Sequence, residues 1–222
     1  MTSFDIPPTH AATLEIDDKI YIPVGLKSDP RFLVPEAVVE LTTDRYELAT
    51  PGRRGIDPMC GIGTMPRIIQ RMGGKCDAIE IDSNQYTIAR SELSTGADIK
   101  LADCLTKEMG GTLEGVYDYV YTSVPFLWFK DYPDGGPSDR PGDGLRDKLG
   151  PSFRRMLKRR GILIIDCDDI AVRDGRSWPL AKYEIDYFTQ HGFRFDESTR
   201  FSLKKPGERG DSTFTEIKFT AI

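Results

Sequence analysis

Three acidic residues stand at matching places along the chain, each closing a short apolar run. The first, Asp57, lies in Gly55-Ile56-Asp57-Pro58-Met59-Cys60-Gly61-Ile62-Gly63-Thr64, where a strand-like run enters a glycine-rich turn that opens a helical pattern. Gly61 and Gly63 let the backbone bend tightly and approach a ligand closely. Asp57, Met59, Cys60 and Thr64 complete that turn, and an adenosine-type cofactor would lie against it. The second acid, Glu80 in Ala78-Ile79-Glu80-Ile81-Asp82, has the placement to accept the hydroxyls of a ribose. The third, Asp103, stands before Cys104 in Leu101-Ala102-Asp103-Cys104 and has the placement to accept an adenine amino group. A dinucleotide fits less well, because the turn reads GxGT and not GxGxxG. The missing Gly-Lys-Ser/Thr excludes a P-loop.

These residues need a scaffold that brings strand ends together, and the chain offers one. From residue 53 short apolar runs alternate with amphipathic stretches, the pattern of a parallel sheet covered by helices. Strands are expected over Arg54–Asp57, Cys76–Ile81, Ile99–Leu101, Tyr117–Thr122 and Ile162–Asp166. Helices are expected over Thr64–Met72, Asn84–Ser94, Gly150–Arg160 and Trp178–His191, with a short turn near Leu105–Met109. Two β-rich runs, Phe193–Leu203 and Phe214–Ile222, close the chain, and TFTEIKFTAI alternates as a strand with one face on a core does. The N-terminal fifty residues read as an extension that packs on the sheet, with a hairpin over Leu14–Val24 and a helix from Pro35. Residues 131–144 hold three prolines and four glycines, so they are a loop, and loops of this length are usually functional.

The segments DPMCGIGT, AIEID, LADC and TSVPF, in that order and spacing, resemble the S-adenosylmethionine-dependent methyltransferases. The resemblance is closest to the amino-methyltransferases that modify exocyclic nitrogens of nucleobases, which carry an Asp/Asn/Ser-Pro-Pro-Tyr/Phe motif after the fourth strand. A serine-initiated motif looks like the cytosine-type enzymes. Phe32-Leu33-Val34-Pro35-Glu36 and Lys158-Arg159-Arg160-Gly161-Ile162 are similar to the helix before the cofactor turn and to the turn into strand five, so the likeness spans most of residues 30–222. It implies an α/β fold, the Rossmann-like class I methyltransferase with a seven-stranded, mostly parallel sheet in order 3-2-1-4-5-7-6, helices on both faces and the last strand antiparallel. S-adenosyl-L-methionine is the implied cofactor, and the implied catalytic segment is Ser123, Val124, Pro125 and Phe126. Methyl transfer to an aromatic amine needs its lone pair drawn out of conjugation, and two acceptors holding its hydrogens do that: the Ser123 side chain and the Val124 carbonyl. Val124 departs from the family, which has proline there, but any residue supplies the carbonyl and Pro125 keeps Val124 extended. Phe126 would stack on the base, and Trp128 and Phe129 would receive it at the root of a substrate loop over residues 130–150.

Composition sets the outer bounds. At 222 residues the chain accommodates one α/β domain and leaves no room for a large recognition module. No apolar run is long enough for a membrane span, and the start lacks a signal-peptide pattern, so a cytoplasmic location is expected. The net charge of −5 resides in residues 1–50, with 4 Lys/Arg against 9 Asp/Glu; the remainder is balanced. Residues 153–160 carry five basic side chains, which face solvent or hold a phosphate backbone. Cys60, Cys76, Cys104 and Cys167 lack metal-ligand spacing and are expected to be reduced and mostly buried. The expected partner is nucleic acid, DNA before RNA, with a homodimer or partner subunit supplying target recognition. RNA, a small-molecule amine, or a cofactor-binding scaffold without activity are the alternatives.

Overall fold

The computed structural model describes residues 11–16, 20–25, 36–93, 97–106, 113–124, 145–168, 170–171, 177–178, 180–204 and 212–222. The chain begins with the hairpin β1 (Ala11–Ile16) and β2 (Ile20–Gly25), then α1 (Glu36–Arg45). The alternating body follows: β3 (Arg54–Asp57), α2 (Thr64–Arg71), β4 (Lys75–Glu80), α3 (Ser83–Glu92), β5 (Ile99–Leu101) and β6 (Tyr117–Ser123). After it come α4 (Leu145–Met156), β7 (Leu157–Asp168), the two-residue strands β8 (Ile170–Ala171) and β9 (Ser177–Trp178), and α5 (Leu180–Gln190). The strands β10 (Phe193–Lys204) and β11 (Ser212–Ala221) end it.

Nine strands form one sheet in the order β2-β1-β10-β11-β7-β6-β3-β4-β5, and β8 pairs with β9 apart from it. Counted from β3, the seven central strands follow 3-2-1-4-5-7-6. β3 to β7 are parallel, and β11 runs antiparallel to both β7 and β10. The N-terminal hairpin extends this sheet by two strands, through pairing of β1 with β10 from Thr13↔Lys204 to Ile16↔Phe201.

Each face of the sheet is closed by helices. On one side α1 and α2 bury Val39, Met65, Ile68 and Ile69 against Tyr119, Tyr121 and Ile164, and α3 lays Ala89 on Ala78 and Cys60. On the other, α4 and α5 bring Phe153, Met156 and Phe188 onto Val120, Leu163, Ile217 and Phe219. The alternation of β11 is therefore real on this second face, where Ile217, Phe219 and Ala221 are buried. Gly55 in β3 pairs with Tyr119 of β6, and a Cβ there would fall 1.8 Å from the tyrosine ring.

The structure corrects several expected boundaries, among them that of the strand expected over Ile162–Asp166, which is β7 and runs from Leu157 to Asp168. The helix expected over Gly150–Arg160 is α4, which starts at Leu145 and stops at Met156. Its early start takes Leu145–Gly150 out of the expected loop; Lys158–Arg160 belong to an irregular entry into β7, between the pairs Tyr117↔Leu157 and Tyr119↔Ile162. Arg160 turns this corner with a φ of +63° before Gly161. The helix expected from Trp178 begins at Leu180, because Ser177 and Trp178 pair with Ala171 and Ile170.

Candidate active site

The order of strands reverses at β3: β4 and β5 lie to one side of it, β6 and β7 to the other. In parallel sheets a ligand binds at the carboxyl ends of strands where the order reverses. Asp57 at the end of β3, Glu80 at the end of β4, Asp103 just past β5 and Ser123 at the end of β6 all stand on that edge.

The glycine turn is held from both sides. Gly61 and Gly63 have φ of +55° and +83°, left-handed values that glycine adopts at little cost. A Cβ on Gly63 would also lie 3.1 Å from Ala89 Cβ, so this glycine serves the packing of α3 as well as the bend. The Cys60 amide donates to the Ile79 carbonyl at 3.0 Å, which ties the turn to β4, and the Gly63 amide donates to the Cys60 carbonyl at 2.8 Å, which closes the turn on itself. Glu80 completes the tie: its Oε2 accepts from the Gly61 amide at 2.7 Å, while Oε1 accepts from the amides of Ile81 and Asp82 at 2.9 and 2.8 Å. A carboxylate has about four acceptor positions, so three backbone bonds leave Glu80 one for a ribose hydroxyl, on Oε2.

Asp57 is buried, its Oδ1 accepting from Thr122 Oγ1 at 2.8 Å and from the Met59 amide at 3.1 Å. Burial pushes its carboxyl up to about 7, against the pull of those two hydrogen bonds and with a smaller push from the charge of Glu80. Asp103 Oδ1 accepts from the Leu105 amide at 2.9 Å; Oδ2 has no partner among the described residues. Cys60 and Cys104 are buried free thiols pushed upward, mainly by burial and then by neighbouring carboxylates, so neither is a nucleophile. Thr64, also buried, is the first residue of α2. Met59 is half-buried and packs against the α4 and α5 side of the core.

Ser123 ends β6 half-buried, its Oγ 3.5 Å from the Asp166 carbonyl, and Val124 follows it, buried. Pro125, Phe126, Trp128 and Phe129, expected to shape the loop and receive the base, lie outside the described residues, as do residues 130–144 of the expected substrate loop. Two contributors escaped the sequence reading. Thr122 anchors Asp57, a role that only the β3–β6 neighbourhood reveals. Ile81, directly after Glu80, is 69% exposed and offers an apolar surface at the rim; an isoleucine next to a strand-end acid was the available signal.

The expected phosphate-holding cluster is not at this edge. Arg54 and Lys75 begin β3 and β4, and Lys158, Arg159 and Arg160 lie at the entry to β7. Arg155 accompanies them there, its carbonyl accepting from the Gly115 amide just before β6. They occupy the opposite, amino-terminal edge of the sheet, where Lys158 pairs with Asp118 at 2.8 Å and Arg54 with the buried Asp77 at 2.8 Å.

Neither a protein-family model nor a curated protein matches the sequence. Solved structures do match the fold. A Pyrococcus horikoshii protein described as a candidate RNA methyltransferase superposes with a TM-score of 0.60 at 12% identity, over 89% of this chain and 92% of that one. A SAM-dependent methyltransferase from Anabaena variabilis gives 0.58 at 16% identity, over 84% of each chain. The magnesium protoporphyrin IX methyltransferase of Synechocystis, solved with bound SAM, gives 0.53 at 13% identity over 84% and 77%. The chain thus has the Rossmann-like fold of class I methyltransferases, with its strand-end acids on the edge where that fold reverses strand order.

Proposed function

We propose that the protein transfers a methyl group from S-adenosyl-L-methionine to an exocyclic amino group of a nucleobase, in DNA before RNA. The observation that carries this reading is the meeting, on one sheet edge, of a glycine turn locked to Glu80 and of Ser123–Val124 at the end of the strand next to β3. The cofactor's parts have counterparts there. Glu80 Oε2 would hold a ribose hydroxyl, Asp103 Oδ2 the adenine amino group, and the Ile81 side chain the flat face of the adenine. When bound, the cofactor supplies an electrophilic methyl group on a sulfonium whose sulfur keeps the bonding pair as nitrogen takes the methyl.

The protein's own part is orientation. The Ser123 hydroxyl and Val124 carbonyl accept the two hydrogens of the amine and fix its lone pair toward the methyl group. Such positioning is the largest source of rate in a transfer between two held reactants. RNA is the second reading, favoured by the DPMCGIGT form of the turn, which looks like that of guanine-modifying RNA enzymes. A second copy or a partner chain would supply the target-reading surface.

Labelled methyl transfer assayed on DNA, RNA and free nucleotides tests the reading. Ser123→Ala is expected to lower turnover about 100-fold while calorimetry shows unchanged cofactor affinity. Equal losses in both would remove Ser123 from its role, and cofactor binding with transfer to no substrate would identify an inactive scaffold instead.

A further inference from the structure

A ribose placed on Glu80 presents two neighbouring hydroxyls, and Glu80 has room for one of them. Its Oε1 accepts from the Ile81 and Asp82 amides and its Oε2 from the Gly61 amide, so of about four acceptor positions one remains, on Oε2. The second hydroxyl needs another partner, because a hydroxyl that gives up water without gaining a bond costs affinity. The other acids of this edge are engaged elsewhere. Asp57 Oδ1 accepts from Thr122 and from the Met59 amide. Asp82 Oδ1 caps α3 by accepting from the Asn84 and Gln85 amides, and Asp103 lies past β5, at the place given to the adenine amino group.

Gln85 reaches this corner from α3. The helix begins just past the end of β4, so its first turn stands at the carboxyl edge of the sheet. Ala89 packs on Cys60 and lies against Gly63, and Gln85, four residues before it, shares that face of the helix one turn nearer the edge. A Cβ on Gly61 would meet Gln85 Oε1 at 3.1 Å. Two side-chain oxygens thus border one glycine: Glu80 Oε2 at its amide, and Gln85 Oε1 on the side where a side chain would stand. The Gln85 backbone is fixed, its amide donating to Asp82 Oδ1 at 2.8 Å. Its exposed side-chain amide has no hydrogen-bond partner among the described residues, so a ligand can engage it without breaking a bond inside the protein.

From this corner we infer that Gln85 holds the second ribose hydroxyl of S-adenosyl-L-methionine, so that Glu80 and Gln85 together select a cofactor whose ribose carries both hydroxyls. This role of Gln85 rests on the proposed placement of the ribose at Glu80. Each oxygen accepts one hydrogen, Glu80 Oε2 from one hydroxyl and Gln85 Oε1 from its neighbour. A site built to bond a hydroxyl rejects an analogue that lacks it, since the acceptor is then left without a partner. Gly61 gains a second purpose. Besides adopting its φ of +55° at little cost, it leaves room for the Gln85 amide, which any side chain there would crowd.

Calorimetry with S-adenosylhomocysteine, the cofactor without its transferable methyl group, and with two analogues that each lack one ribose hydroxyl tests this without any methyl acceptor. Wild type is expected to bind each analogue about fivefold more weakly than the parent compound. Gln85→Ala is expected to bind the parent about fivefold more weakly than wild type does, and to bind one of the two analogues as well as it binds the parent. Gln85→Met keeps the length of the side chain without the amide and is expected to match Gln85→Ala. Wild-type affinity in Gln85→Met would reduce the residue to filling space and overturn its role. If both analogues lose as much against the parent in Gln85→Ala as in wild type, Gln85 holds no hydroxyl, while the ribose stays on Glu80. If wild type binds both analogues as tightly as the parent, the ribose is not at Glu80, and the role of Gln85 falls with that placement.

Discussion

Asp57 shows how far a single side chain departs from its ordinary chemistry when its strand end is covered. Its ordinary value of 3.8 is raised to about 7 by burial, so between those limits the folded chain holds a proton that the unfolded chain has released. Stability therefore falls as pH rises through this window and levels off above it. Asp57→Asn keeps an oxygen for the Thr122 and Met59 hydrogen bonds but has nothing to titrate. Its urea-denaturation free energy is expected to lose up to about 1 kcal/mol per pH unit of that slope between pH 4 and 7. Glu216, whose shift has the same sign, contributes to the slope that persists. Identical slopes in variant and wild type would show that the Asp57 carboxyl is ionised in the fold across the window.

Between neighbouring elements, fit is decided where glycine meets aromatic. The Tyr119 ring of β6 fills the space that a side chain at Gly55 of β3 would need. Gly55→Ala is expected to cost about 2 kcal/mol through overpacking, and combining it with Tyr119→Val should cost less than the two separate losses together in denaturant melts. An additive double variant would mean the two strands separate to make room. This contact also marks what could be read in advance. β3, β5 and both ends of β6 were legible to within a residue, because each is a short apolar run bounded by glycine or charge. The helix-to-strand change at Met156–Leu157 was not, since Phe153, Met156 and Leu157 keep helical spacing across it and only the pairing of Leu157 with Tyr117 ends the helix. Glu216 was equally hidden. Alternation in β11 assigns it to a solvent face, and the burial comes from α1, distant in sequence. Of the site, the glycine turn and the acids were legible from spacing, whereas the Thr122 anchor on Asp57 required strand order.

At the scale of the whole molecule, the sheet separates two chemistries. The strand-end acids occupy one edge and the cationic residues the other, about 20 Å away along a seven-residue strand. A pocket of about 240 Å³ lined by Glu114, Gly115, Arg154, Arg155 and Leu157 opens on the cationic edge. A polyanion whose base reaches Ser123 need not touch these residues. Arg159→Gln/Arg160→Gln is therefore expected to leave KM for a nucleic acid within about twofold and its salt dependence unchanged; a salt slope lower by about one or two would show that the strand wraps to the far edge. Among the described residues, no helix is long and apolar enough to cross a membrane. The hairpin on β10 carries a different consequence. By pairing with that strand it moves the sheet's border to β2, where Pro23 has no N–H to offer, while β5 at the opposite border is three residues long. Neither border is a good template for another strand. The protein is thereby guarded against edge-to-edge aggregation, and a second copy that joins it would do so through helices or loops and not by continuing the sheet.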